Sequence, residues 1–143
     1  MRVERGLITV EQCEDEVLGL HRFFERWFSG RCDPEEIGRL SGVLSERFLM
    51  VTTAGEILDR RSLVASLYQR HGSHPPPAGA YAIEIRNLKE RFRAGGHCLV
   101  TYEEWQQGDG KSRGRLSSAL FRERSDAPHG VEWVHLHETW LAR

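Results

Sequence analysis

The sequence predicts an α+β fold in which helices come first and an antiparallel sheet follows. Two observations lead to this expectation. A long amphipathic pattern with apolar residues three and four positions apart lies near the N-terminus, and four alternating runs separated by turn residues fill the second half. Helices that are segregated from strands along a chain pack together on one face of the sheet. With 143 residues, we expect one domain spanning residues 1–143.

Composition excludes several classes of partner. The formal net charge is −1 and both signs are interspersed, so we expect no nucleic-acid partner. We expect no membrane partner either, because no apolar run is long enough to span a bilayer. The three cysteines, Cys13, Cys32 and Cys98, are widely spaced and form no paired motif. Reduced thiols in a cytoplasmic protein are the prediction.

The first element is a long helix. Thr9 is a suitable N-cap, acidic residues follow in the first turn, and Ser29 and Gly30 provide the end. One face is apolar throughout and becomes aromatic towards its C-terminal end. That face consists of Cys13, Val17, Leu20, Phe24, Trp27 and Phe28. A helix of this kind is expected to lie across a sheet.

Two further helices and a hairpin follow. Asp33 and Pro34 begin a short helix that Gly38 and Gly42 weaken. Residues 47–53 and 56–58 are predicted as strands joined by a turn, and Asp59 caps a third helix that extends to about residue 70. The segment 72–79 contains three successive prolines and is interpreted as a loop at the rim of the domain.

The remaining chain is predicted to form an antiparallel meander. Its four strands are residues 81–92, 98–106, 116–124 and 131–141, and the breaks between them are rich in turn residues. The first of these strands changes its apolar parity between Ile85 and Leu88. This change predicts a bulge near Asn87 that would curl the sheet.

The last strand has large side chains on both faces. One face carries Val134, Leu136, Glu138 and Trp140, and the other carries Trp133, His135 and His137. Neither face is suited to bulk water. We therefore interpret residues 131–141 as a central strand with the core of the domain on one side and a second subunit on the other.

These elements resemble the nuclear transport factor 2-like superfamily, which includes SnoaL-like and ketosteroid isomerase-like proteins. The similar segments are the C-terminal Trp133-Val-His-Leu-His-Glu-Thr-Trp140 and the hairpin at residues 48–59. The resemblance implies a cone: a curved antiparallel sheet wraps around the long first helix and leaves a pocket at its open end. It also implies a homodimer formed through the convex sheet face, with Trp133, His135 and His137 at the interface.

Glu138 is the leading candidate for a catalytic residue. A carboxylate on an otherwise apolar strand face has its pKa raised by desolvation, which suits a general acid or base near neutral pH. A salt bridge to one of the many arginines is the alternative explanation. The ligand-binding candidates beside Glu138 are Trp27, Phe28, Tyr102, Glu104, Phe121 and Trp140. Alternation puts either Glu103 or Glu104 inside, and the sequence leaves that choice open.

No metal or cofactor is expected. His135 and His137 would place two imidazoles about 7 Å apart on one strand face, which is a chelating distance. A third ligand is missing from the sequence pattern, so histidines at a dimer interface are the favoured interpretation. The glycine-rich segments also lack the spacing of phosphate-binding or dinucleotide-binding loops.

Two functional hypotheses follow. In the first, the protein binds a small apolar or partly polar molecule, and Glu138 serves an acid/base enzyme of the isomerase, cyclase or dehydratase type. In the second, the chain is a non-catalytic dimerisation or interaction domain with a vestigial pocket. Its support is the apolar and histidine content of both faces of the last strand.

Overall fold

The computed structural model describes residues 7–74, 81–108 and 111–141. In these ranges the chain forms two α-helices, Val10–Phe28 (α1) and Arg60–Gln69 (α2), and a 3₁₀ helix, Pro34–Gly42. The strands are Leu44–Val51 (β1), Ile57–Asp59 (β2), Ala82–Ala94 (β3), His97–Gly108 (β4), Lys111–Glu123 (β5) and Val131–Trp140 (β6). Most of the proline-rich segment lies outside the described residues. None of the described helices has the length and apolar composition that crossing a membrane requires.

The six strands form one open sheet in the order β2-β1-β6-β5-β4-β3. The meander from β3 to β6 and the β1–β2 hairpin are antiparallel, as the sequence predicts. However, β1 pairs with β6 in parallel, so the sheet that the sequence predicts as antiparallel is mixed at this one pair. Because β1 and β6 are far apart in the chain, no hairpin turn sets their relative direction.

Helix α1 lies across the concave face of the sheet. Thr9 caps it through a capping box with Gln12, in agreement with the predicted start. The predicted second helix is a 3₁₀ helix, which begins at the expected Asp33 cap. At the C-terminal end of α1, the Trp27 indole Nε1 donates a hydrogen bond of 2.7 Å to the carbonyl oxygen of Leu67 in α2. Trp27 is therefore a core residue that joins the two α-helices.

The predicted bulge near Asn87 is present. The pairing of β3 with β4 shifts between Arg86 and Lys89, and Asn87 between them has a φ of 56°. A left-handed conformation is tolerated by Asn better than by most residues, because its short amide bonds locally. Here the Asn87 amide nitrogen donates to Glu103 at 2.7 Å. The bulge increases the local twist of the sheet edge.

A second bulge, in β6, was not expected from the sequence. His135 pairs with Leu120, whereas Trp133 pairs with Phe121, so Val134 is the extra residue. This insertion breaks the period-2 alternation and turns Trp133 inward. The Trp133 side chain is 1% exposed, and its Nε1 donates to Glu16 Oε2 at 2.9 Å. The prediction that Trp133 faces outward, at an interface, is therefore wrong.

We expect the two tryptophans of β6 to respond differently to replacement by Phe. Trp133→Phe removes a donor to the fully buried Glu16 and should lower the free energy of unfolding by about 1–3 kcal/mol. Trp140→Phe is the matched control, because Trp140 is 40% exposed and should change that free energy by about 0.5 kcal/mol or less. Urea unfolding measures both. Equal losses would contradict the inward position of Trp133.

Candidate functional site

A cavity of about 150 Å³ lies between α1, α2 and the concave face of the sheet. Its walls are mainly apolar, and seven of the lining side chains are charged or titratable. The lining consists of Leu20, His21, Phe24, Phe28, Leu44, Phe48, Met50, Leu63, Leu67, Arg70, Ser73, His74, Tyr81, Ile83, Glu104, Gln106, Arg115, Trp133, Leu136 and Glu138. Few polar groups in an apolar wall are typical of small-molecule sites.

His21 and Glu104 form a buried ion pair across the cavity wall. His21 Nε2 lies 2.8 Å from Glu104 Oε1, and His21 Nδ1 lies 2.7 Å from the carbonyl oxygen of Val17. With Glu104 ionised, both ring nitrogens face acceptors, and only the doubly protonated imidazolium donates to both. The second carboxylate oxygen of Glu104 accepts a hydrogen bond of 2.6 Å from the Gln106 amide.

Arg115 connects this pair to a second carboxylate. Its Nη1 donates to Glu138 Oε1 at 2.9 Å, and its Nε lies 3.4 Å from Glu104 Oε2 without hydrogen-bonding geometry. Ser117 Oγ lies 3.5 Å from the other oxygen of Glu138. The register of β4, β5 and β6 explains the cluster, because Arg115 is opposite Glu104 and Ser117 is opposite Glu138.

The two carboxyl groups have different proton affinities. At Glu104, burial favours the neutral acid, but the charges of His21 and Arg115 outweigh it and hold the pKa well below its ordinary value. At Glu138, burial raises the pKa against the attraction of Arg115, and the nearby charge of Glu104 adds to the rise. Two titratable groups with pKa values pushed apart are the arrangement that acid/base chemistry uses.

The imidazole of His21 also has a shifted pKa. Burial disfavours its charged form, yet the attraction of Glu104 and the hydrogen bonds to Glu104 and Val17 raise the pKa above its ordinary value. Because His21 is 3% exposed, its charge is held by these partners and not by water. The ion pair therefore fixes Glu104 as an anion beside the cavity.

Aromatic residues and a third cation form the mouth of the cavity. The rings of His74 and Tyr81 stack with centroids 4.5 Å apart, and Tyr81 meets Phe28 edge-on at 5.7 Å. The Arg70 guanidinium lies over the Phe28 ring, 5.3 Å from its centroid. Burial against the aromatic rings lowers the pKa of Arg70, although Arg70 as a whole remains exposed, and burial raises the pKa of the half-buried Tyr81.

The structure brings three of the predicted pocket residues together. Phe28, Glu104 and Glu138 line the cavity. Glu104 is the inward member of its pair, since Glu103 accepts hydrogen bonds from Asn87 and Trp105 on the other side of the sheet.

Four other candidates do not line the cavity. Trp27 and Phe121 are core residues without exposure, and Trp140 lies beyond the cavity, where the Arg113 guanidinium stacks 3.6 Å from its ring centroid. Tyr102 lies behind the wall, where its ring meets His21 edge-on at 5.8 Å. The Tyr102 hydroxyl is buried near Ser117 but forms no hydrogen bond among the described residues.

The other side of β6 carries the two predicted interface histidines. His135 is half-buried and His137 is exposed, and both lie on the face opposite Glu138. Their role at an interface remains a prediction. Within the described ranges, no group of three His, Cys, Asp or Glu side chains is placed to hold a metal ion.

Sequence reasoning missed the two cations at the centre of the site. His21 lies beside the apolar stripe of α1, and Arg115 is one of many arginines in the chain. A polar residue that interrupts the buried face of a helix is a usable signal for His21, because such a residue needs a partner. Arg115 becomes conspicuous only once the strand register is known.

Comparison with known proteins places the chain in a family and identifies related folds. The model of the family described as sucrose-6-phosphate phosphohydrolase C-terminal matches residues 13–142. A protein of unknown function from Pseudomonas aeruginosa, described as NTF-2 like, has a solved structure similar to this chain, with a TM-score of 0.81 and 23% identity. The match covers 92% of this chain and 99% of that one. Among curated proteins, none matches this sequence.

Two more distant structures share the fold. One is an NTF2-like protein from Rhodospirillum rubrum, described as of unknown function in nutrient uptake, with a TM-score of 0.65 and 11% identity over 94% of this chain and all of that one. The other is the CaMKII hub of S. rosetta, with a TM-score of 0.63 and 12% identity over 99% of this chain and all of that one. These likenesses show the NTF2-like, cystatin-like cone fold.

The charge of His21 predicts a pH-dependent stability. A raised folded-state pKa gives stabilisation that is fully present below the ordinary value of 6.5 and is lost as the pH rises through the folded value. His21→Gln keeps a donor for Glu104 but removes the charge, and should destabilise the protein by about 3 kcal/mol at pH 6. We expect this difference to shrink towards pH 9 in urea unfolding.

His137→Gln is the matched control for this experiment, because His137 is exposed on the opposite face. The free energy of unfolding of His137→Gln should differ little from that of the wild type. Glu104 is ionised in both folded and unfolded chains between pH 6 and pH 9, so the change in that window reports His21. A His21→Gln difference that stays constant across the window would mean that folding leaves the pKa of His21 unshifted, and a difference that grows with pH would mean that folding lowers it.

Proposed function

The chain belongs to the sucrose-6-phosphate phosphohydrolase C-terminal family, and for this member we propose the binding of a small molecule in the cavity, with Glu138 as a general acid or base. The family name describes a region of an enzyme and assigns no residue roles, so the proposal rests on the site. One observation carries it: the side chains of His21, Glu104, Arg115 and Glu138 form a connected network at an otherwise apolar cavity.

The shape and lining of the cavity favour a compact ligand with an apolar body. Its volume of about 150 Å³ is below the range of about 300–1,000 Å³ that is usual for drug-sized ligands. Aromatic and aliphatic side chains such as Phe24, Phe48 and Leu136 would contact the body of such a molecule. The stacked His74 and Tyr81 would contact the part that lies in the mouth.

The charges around the cavity favour an acidic head group. Arg115 is balanced by Glu138 and His21 by Glu104, whereas Arg70 has no carboxylate within salt-bridge distance in the part of the chain that the structure describes. A partly desolvated cation gains most from an anion that is also removed from water. A carboxylate on the ligand, placed beside Arg70, would supply that partner.

The opposite pKa shifts of Glu104 and Glu138 suggest different roles for these two residues. Glu104 remains an anion that holds His21 and orients Arg115. Glu138, whose pKa is raised, would exchange a proton with the bound molecule, because a group with a pKa nearer to neutral is the more effective proton carrier. Proton transfer of this kind serves isomerase, cyclase and dehydratase reactions.

We test this function with Glu138→Gln, which preserves the shape of the side chain and removes its proton exchange. Native mass spectrometry of the purified wild-type protein, compared with its denatured mass, should reveal a bound small molecule and its mass. Ligand affinity should fall by about tenfold or more in Glu138→Gln, because a charged hydrogen-bond partner is lost. Any turnover of that ligand should fall by about 10²- to 10⁴-fold.

Glu103→Gln is the matched control, since Glu103 precedes the cavity residue Glu104 in β4 but faces away from the cavity. It should leave both affinity and turnover unchanged. Unaltered binding and turnover in Glu138→Gln would show that Glu138 is only the ion-pair partner of Arg115. The proposed binding function would be wrong if the native mass showed no bound molecule and no compound in a library of small acids raised the melting temperature.

Self-association through the outer face of the sheet is the second candidate function. A row of paired residues crosses that face from β1 to β3, and we call Leu49, His135, Leu120, Leu99 and Phe92 the outer row. Leu49 and Phe92 are 43% and 61% exposed. The likeness to a protein described as a CaMKII hub supports a second copy of this chain as the partner. The arrangement would be a homodimer.

A charge in the outer row should prevent this self-association. We expect the wild-type protein to have the mass of a dimer by light scattering at micromolar concentration, and Leu120→Lys to have the mass of a monomer. Leu18→Lys is the control, because Leu18 is 38% exposed on α1, away from the sheet face. The control should remain dimeric. A monomeric wild-type protein would rule out the homodimer.

A further inference from the structure

A second concave site, distinct from the cavity, lies on the surface formed by β1, β6 and β5 beside the first turn of α2. Its volume is about 560 Å³, and it shares no lining residue with the cavity. We call it the arginine groove. Its lining consists of Ser41, Ser45, Glu46, Arg47, Arg60, Arg122, Arg124 and Glu132.

A buried carboxylate fixes two of the four arginines. The side chain of Glu132 is 8% exposed, and it accepts hydrogen bonds from Arg122 on one oxygen and from Arg124 on the other. Arg122 also donates to Ser45 Oγ at 3.4 Å, and Arg124 Nη1 donates to the carbonyl oxygen of Ser41 at 3.1 Å. These contacts hold both guanidinium groups in place before any ligand arrives.

The other two arginines are not neutralised in this way. Neither Arg47 nor Arg60 has a carboxylate within salt-bridge distance in residues 7–74, 81–108 and 111–141. Arg60 Nη1 donates to the carbonyl oxygen of Leu44 at 3.3 Å, which positions the group without using its charge. Both therefore retain donors and full charge for an anion.

The groove concentrates positive charge in a protein whose formal net charge is −1. Four arginines and two glutamates line it. Asp126 also pairs with Arg124 from outside the lining, at 2.9 Å, and a positive surplus remains when it is counted. A cluster of cations in a concave site raises the local concentration of anions and strengthens their binding.

We propose that the arginine groove binds the phosphate group of a phosphorylated small molecule. Guanidinium groups match phosphate oxygens with paired N–H donors, and a phosphate can meet several of them at once because its oxygens point in different directions. A carboxylate offers only two oxygens in one plane. The groove is larger than one phosphate requires, so its remaining space would hold the organic part of the ester.

Arg47 and Arg60 are the specificity-determining residues of this site. Arg122 and Arg124 are already paired with Glu132, so they contribute positive electrostatic potential and those N–H donors that Glu132 leaves free. The two unpaired guanidinium groups supply the new contacts to the phosphate. Arg47 comes from β1 and Arg60 from the first turn of α2. The groove is complete within a single chain, so its action needs neither the cavity nor a dimer.

Isothermal titration calorimetry with phenyl phosphate tests the proposal, and benzoate serves as the carboxylate probe. We expect the wild-type protein to bind phenyl phosphate, with an affinity that falls as salt is raised. Arg47→Gln should weaken binding by about tenfold or more, because it removes a charge-assisted contact. Arg31→Gln is the matched control: Arg31 is exposed, lies outside the groove and changes the net charge equally.

The possible outcomes separate the explanations. A loss of affinity for phenyl phosphate in Arg47→Gln but not in Arg31→Gln supports binding in the arginine groove. Equal weakening by Arg31→Gln would show general charge attraction and overturn the site. Benzoate binding that is as tight as phenyl phosphate binding and equally weakened by Arg47→Gln would overturn the choice of phosphate, and no heat for either probe at millimolar concentration would overturn the site altogether. Glu138→Gln should leave phenyl phosphate binding unchanged, so the result is independent of the cavity.

Discussion

The ion pair between His21 and Glu104 is the interaction on which the site depends. It joins the middle of α1 to β4, and both side chains are almost completely buried. Removing two charges from water is costly, and this cost is offset only when each charge keeps its partner and its other hydrogen bonds. Val17 and Gln106 supply those bonds. The pair therefore fixes the position of α1 over the sheet, keeps Glu104 ionised and, through Glu104, sets the environment of Arg115 and Glu138.

Local structure was largely predictable because it depends on neighbouring residues. Thr9 and Asp59 cap their helices through backbone contacts within three residues, and the apolar stripe of α1 is buried as its spacing predicts. The bulge at Asn87 was visible as a break in alternation, since the residue type and the parity change agree. The resemblance of the last strand and the first hairpin to nuclear transport factor 2-like proteins supplied the cone fold, which the similar structures confirm.

The site itself was less predictable because its members meet across long stretches of chain. His21 and Glu104 are 83 residues apart, and no local pattern pairs them. The bulge at Val134 has no marker comparable to Asn87, since Val134 continues an apolar run, and for this reason Trp133 was expected on the wrong face. The direction of β1 against β6 depends on which strand edges remain after the meander has formed. The packing of the whole core, and not the sequence of any one segment, determines the strand direction and the position of the bulge.

The parallel pairing of β1 with β6 has a kinetic consequence. These strands are separated in the chain by β2, α2, β3, β4 and β5, so their contact closes the longest loop in the sheet and carries the largest entropy loss. The meander from β3 to β6 is local by comparison and is able to form first. Phe48 and Met50 of β1 are part of the cavity wall, so the cavity is completed only when this last pairing is made. A bound molecule would stabilise the finished sheet and slow its opening at the β1–β2 edge.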